Sequence, residues 1–212
     1  MRKPGYALAL AALLLCFVVV ILGAYTRLVH AGLGCPDWPG CYGFLSVPQS
    51  EHALQAAQLR FPDEPVEAFK AWAEMIHRYA AGTLGLVILT LAVIGISQRR
   101  NPDYPTGLGL GLLALVVCQA LFGMWTVTLK LWPQVVTAHL LGGFTTISLL
   151  WLLTLRLNNQ RWQLPAIVEP KLTALRPLVV VGLLIVVGQI ALGGWTTSNY
   201  ADIACPDFPR CQ

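Results

Sequence analysis

A chain of 212 residues that is 56% hydrophobic and only 11% charged is not a soluble domain or pair of domains. With a mean hydropathy of +0.64 it falls in the polytopic membrane class. Its formal net charge of +4 is accounted for by loop lysines and arginines, so no nucleic-acid partner is expected.

Five uncharged apolar runs, at about 6–26, 79–97, 106–129, 135–155 and 177–199, each reach the roughly 20 residues that a bilayer-spanning helix needs. The first follows Arg2 and Lys3 as a signal peptide would. Its apolar core is too long for that and no A-x-A-like site follows it, so it reads as a retained span. The segment from Arg27 to Cys41 is rich in turn formers and carries two cysteines. Residues 49–60 have helical periodicity with an apolar face, which predicts a short helix on the outer surface. Asp63 is a candidate N-cap, with Pro65 in the first turn, for a helix that enters the membrane some residues later. Glu74 and His77 then stand a turn or two inside that helix, three residues apart and on one face. The second span ends at Arg99-Arg100, and the third leads to a turn through Lys130, Trp132 and Pro133. The fourth opens on Thr137-Ala-His139, and a polar stretch from Arg156 to Lys171 leads to the fifth.

Lysine and arginine set the orientation. Arg2, Lys3, Arg99, Arg100, Arg156, Arg161, Lys171 and Arg176 cluster in short segments on one side, which predicts a cytoplasmic N-terminus and an outside C-terminus. Cys16 and Cys118 lie in apolar helices and read as small buried side chains. Cys35, Cys41, Cys205 and Cys211 fall in outer loops, where oxidation persists. Their C-x5-C spacing is too wide for zinc or thioredoxin chemistry and leaves a structural disulfide or a redox relay.

An internal repeat organises the chain. Gly23-Ala-Tyr25-Thr26 followed by Cys35-Pro-Asp-Trp-Pro-Gly-Cys41 recurs, 170 residues on, as Gly193-Gly-Trp195-Thr196 followed by Cys205-Pro-Asp-Phe-Pro-Arg-Cys211. The fold class expected is all-α, a polytopic helical bundle made of one four-helix unit and the first helix of a pseudo-symmetric second. Residues 1–156 form the first unit with an outer loop at 27–73, 157–176 a cytoplasmic linker, and 177–212 the opening of the second unit. Counterparts of His77 and His139 would fall at positions 247 and 309, beyond Gln212, so the chain reads as one that breaks off after its fifth span. A weaker echo joins Gln119-x3-Gly123-x-Trp125-Thr126 to Gln189-x3-Gly193-x-Trp195-Thr196; small residues for close helix packing and interfacial tryptophans account for most of it.

His77 and His139 each sit a few residues into a span that runs inward, so one bundle would present both imidazoles at one depth, as two axial ligands of a heme between helices. The bland alternative is a histidine hydrogen-bonded at an interface. Glu74, one turn from His77, is either a helix-start carboxylate or a group that moves protons or steadies a developing cation. Arg27 and Arg78 lie at the same level, where arginine forks suit porphyrin propionates or simply anchor an interface.

Gly23-x-Tyr-Thr-Arg27-Leu, Cys35-Pro-Asp-Trp-Pro-x-Cys41, Glu74-Met-Ile-His77-Arg78 and His139-Leu-Leu-Gly142 together resemble the heme A synthase family, in its bacterial form with cysteine pairs in two outer loops. The resemblance implies an inner-membrane protein of eight helices in two halves, the first taking heme O as substrate and the second holding heme b. It implies oxidation of the C8 methyl of heme O to a formyl, giving heme A for cytochrome oxidase. On this resemblance His77 and His139 would ligate the substrate heme, Glu74 would be the catalytic carboxylate, and Cys35–Cys41 and Cys205–Cys211 would be the loop pairs. Heme O synthase, cytochrome oxidase assembly factors, the lipid bilayer and further copies of the chain are the partners it suggests. Two rival readings share some of these residues. A non-catalytic di-histidine electron carrier would need no Glu74, and a quinone-linked thiol oxidase would need the cysteines and neither histidine.

Overall fold

The computed structural model describes residues 2–159 and 168–201. It contains α1 (Tyr6–Leu28), α2 (Glu51–Arg60), α3 (Ala68–Ser97), α4 (Thr106–Thr128), α5 (Pro133–Asn158), α6 (Glu169–Ala174) and α7 (Arg176–Ser198), and no strand among the described residues. Five of these helices, α1, α3, α4, α5 and α7, are long and apolar enough to cross a membrane, so this is an all-α, multi-pass membrane protein.

The helices start and stop where local chemistry directs. The Ser50 hydroxyl accepts the Ala53 N–H at 3.2 Å to cap α2, and Pro133, whose missing N–H costs nothing in a first turn, opens α5. At α3 the expectation fails: the helix begins at Ala68, with Glu67 rather than Asp63 before it. The reason is tertiary. The Pro65 carbonyl accepts the Tyr42 hydroxyl at 3.0 Å and Val66 packs into the loop's apolar cluster, which keeps this stretch out of the helix.

Helix α1 packs on α3, α3 on α4, α4 on α5 and α5 back on α1, closing a four-helix ring; α7 lies against α5, and α6 touches α7. Away from the cysteine loop the ring is filled by Ala9, Ala12, Leu13 and Cys16 of α1, Leu84, Ile88 and Leu91 of α3, Leu112 of α4, and Leu150, Leu153 and Leu157 of α5. The main-chain N–H of Lys3 donates to the Leu157 carbonyl at 2.9 Å and the Tyr104 hydroxyl to the Pro4 carbonyl at 3.0 Å, tying the N-terminus across that end. At the other end a second cluster of Cys35, Cys41, Tyr42, Val47, Ala57, Ala71 and Met75 forms a cap over the ring. Cys16 is buried as expected, but Cys118 is exposed, because its face of α4 points away from the ring, where a thiol, as a small hydrophobe, suits lipid.

Between these two clusters the ring is not packed shut. No residue is buried at 17–25 of α1, 76–83 of α3, 113–126 of α4 or 136–145 of α5. Each helix of a filled bundle buries one face along its whole length. A band in which none of the four helices has a fully buried residue is therefore packed less tightly than the two clusters beside it.

Candidate functional site

Both histidines stand in this open band, and each ring rests on a glycine of the preceding span. A Cβ placed on Gly23 of α1 would meet the His77 ring at 3.0 Å, and one on Gly123 of α4 would meet the His139 ring at 3.5 Å. Each glycine lies five residues before its helix's last residue, Leu28 in α1 and Thr128 in α4, so the two rings sit at matching height. Nδ1 of each is buried and has no hydrogen-bond partner. Each ring thus keeps one buried nitrogen without a protein partner, where buried polar atoms ordinarily find one.

Glu74, 6% exposed, is held on both oxygens: Oε1 pairs with Arg78 Nη2 at 2.5 Å and Oε2 accepts the Cys35 main-chain N–H at 3.0 Å. Arg78 then reaches into the loop, where its Nη1 donates to the carbonyls of Asp37 at 2.9 Å, Pro39 at 3.3 Å and Gly40. The Cys35–Cys41 disulfide closes this loop. The loop presses on α3 so closely that a Cβ at Gly34 would lie 2.5 Å from the Lys70 carbonyl, which only glycine permits. Burial and the carboxylates of Glu64, Glu67, Glu74 and Asp37 push the Tyr42 phenol above its ordinary range.

Arg27 is placed differently from Arg78. Its Nη2 donates to the Thr197 carbonyl of α7, its guanidinium lies 4.3 Å over the Tyr200 ring, and its Nε is buried without a partner. Thr197 stands 170 residues after Arg27, the offset of the internal repeat. Cys205 and Cys211 lie outside the described residues.

Two features of the site were not read from the sequence. Gln119 Nε2 donates to the His139 carbonyl at 2.9 Å, and its amide fills the notch left by Gly142. The Gln119-x3-Gly123 echo was the available signal. The Arg78 clamp was the other, signalled by the i, i+4 spacing of Glu74 and Arg78. Among the described residues no group of three or more His, Cys, Asp or Glu could hold a bare metal ion. Two imidazoles at one height with open space between the helices suit instead a flat macrocycle whose iron needs only two axial ligands.

The family model described as cytochrome oxidase assembly protein, COX15-CtaA, matches residues 6–212. A protein of Shewanella oneidensis named heme A synthase is 50% identical over 200 residues, covering 94% of this chain and 59% of that protein. Others of the same name are 31% identical in Mesorhizobium japonicum, over 65% of this chain and 41% of that protein, and 22% identical in Bacillus licheniformis, over 100% and 65%. The chain thus spans less than two thirds of the length of these curated relatives. No solved structure matches it.

Proposed function

Because the chain belongs to the COX15-CtaA family of cytochrome oxidase assembly proteins, we propose that its four-helix ring is the substrate-binding unit of a heme A synthase. Heme O is the substrate. His77 and His139 would hold its iron in the band, and its C8 methyl would pass through hydroxylated intermediates to a formyl, taking one oxygen atom from solvent and giving up four electrons and four protons, the electrons to an external one-electron carrier, to give heme A for cytochrome oxidase. The observation that carries this reading is the unpacked band with two imidazoles at one height, each with an orphaned nitrogen. The bound iron porphyrin supplies the oxidisable methyl. The protein orients it through the two rings, excludes water with the disulfide cap, and places Glu74 one turn from His77, where a carboxylate can accept a proton or steady positive charge on the macrocycle.

In this reading residues 1–156 are the substrate unit, 157–176 a linker, and 177–212 the opening of a second unit that holds heme b. The protein lies in the cytoplasmic membrane with its N-terminus inside, and receives its substrate from heme O synthase. Arg27 serves a propionate through the Nε that lacks a partner. Arg78, with both terminal nitrogens engaged, acts chiefly by holding Glu74 and the loop.

Purification followed by pigment extraction tests this. Heme O or heme A is expected with the wild type and absent from His77→Ala and His139→Ala. A colourless protein whose function depends on Cys35 and Cys41 would instead establish the thiol oxidase. A heme-loaded protein indifferent to Glu74→Gln would establish the electron carrier.

A further inference from the structure

We infer that Gly23 is a berth for the His77 imidazole, a positioning residue that fixes the rotation of that ring and so the planes in which it can bind iron, with Gly123 in the matching but looser place beneath the His139 ring. The inference rests on the proposed heme site. It starts from a cost: a glycine inside a helix is less stable than alanine by about 1 kcal/mol, so its presence needs a reason. Backbone conformation is not the reason, since neither glycine has a positive φ. Close helix–helix approach is not the reason either. The three atoms nearest a Cβ on Gly23 are Cε1, Nε2 and Nδ1 of His77, and the two within 4 Å of a Cβ on Gly123 are Cε1 and Nε2 of His139. At Gly23 the atoms that a methyl would meet first all belong to the His77 ring.

The two berths are built alike. Each glycine opens a Gly-x-aromatic-Thr segment, Gly23-Ala-Tyr25-Thr26 and Gly123-Met-Trp125-Thr126, and in both the threonine hydroxyl donates back to the glycine carbonyl at 2.7 Å. Beyond it both helices end the same way: the N–H of Ala31 bonds the Thr26 carbonyl and that of Leu131 the Thr126 carbonyl, each at 2.8 Å, with His30 and Lys130 at φ 52° and 47°. A third copy on α7 ends with Tyr200 at φ 54°, but there Thr196 donates to Leu192, and a Cβ on Gly193 would meet nothing within 4 Å among the described residues. The helix ending therefore recurs without a seated ring; in the third copy the close contact falls instead on the next residue, Gly194, whose Cβ would lie 2.9 Å from the Leu140 side chain.

The fits differ, and that makes the inference testable. At 3.0 Å an added methyl on Gly23 forces the His77 ring to move, whereas at 3.5 Å one on Gly123 makes an ordinary van der Waals contact. The full chain, purified and loaded with heme O, is read by the low-spin electron paramagnetic resonance spectrum, which reports imidazole plane orientation, and by heme O affinity. Gly23→Ala is expected to shift the highest g value beyond its line width and to weaken binding about tenfold, the scale seen when a ligand's supporting contacts are altered. Gly123→Ala, and the controls Gly82→Ala and Gly107→Ala in open space, should match the wild type. If Gly23→Ala does not accumulate, Gly123→Val, whose branches reach the His139 ring, should give the shift instead.

A heme-loaded Gly23→Ala with the wild-type spectrum overturns the berths and leaves the heme site standing. A wild type that binds no heme O removes both.

Discussion

In the half of the ring away from the cysteine loop, Cys16, Ile88, Leu112 and Leu150 are at most 2% exposed, while a few turns along the same helices no residue is fully buried. The polar groups follow the same division. The packed half is aliphatic, with Thr154 bonded to its own helix, whereas the open half carries the orphaned nitrogens and adjoins the buried Glu74–Arg78 pair. One half holds the helices together, and the cap holds their other ends, so that the stretch between can stay unfilled. On the proposed function, stability and function fall to different residues of the same helices, and substitutions should separate them.

The sharpest separation is expected at Glu74. Glu74→Gln should lower heme A formation by about 10²-fold or more while heme O still binds, the loss typical of a missing proton-transfer group; a variant that turns over normally would move the chemistry elsewhere. Arg78→Ala should cost about 3 kcal/mol, because it leaves Glu74 buried without its cation, and thermal unfolding with proteolysis of the loop would register it. In the packed half Leu150→Ala should cost about 2–4 kcal/mol in reversible unfolding, against under about 1 kcal/mol for Val136→Ala in the open band; equal costs would mean that the band is filled after all. The smallest effect belongs to the cap. Tyr42→Phe removes one hydrogen bond, worth about 1 kcal/mol. Since the folded state raises the phenol's pKa, the neutral form's contribution is intact below the unfolded value near 10 and is lost as pH rises through the folded value. An alkaline loosening of the loop should therefore disappear in Tyr42→Phe.

What the sequence made legible was what depends on period and composition. Hydropathy located the five spans, and the three-residue spacing put Glu74 on the face of His77. What it hid depends on contacts between distant segments. Asp63 looked like a helix start because nothing local says that Tyr42 will draw the Pro65 carbonyl away. Arg78 was read as a propionate partner or an interfacial anchor, since only the folded loop brings the carbonyls of Asp37, Pro39 and Gly40 to it. Cys118 was taken as buried because helix rotation about its axis is weakly specified in a span apolar on every side. The glycine echo was visible but read as close packing, because sequence does not say whether a small residue faces a backbone or a ring.

A repeat offset announces likeness and says nothing of nearness, yet Arg27 touches Thr197, its own image in the second copy. The contact joins the ends of α1 and α7 at one side chain, which makes Arg27 a pivot between them. A cation set on such a pivot has neighbours from both copies, and any tilt of one against the other would be felt first at its guanidinium.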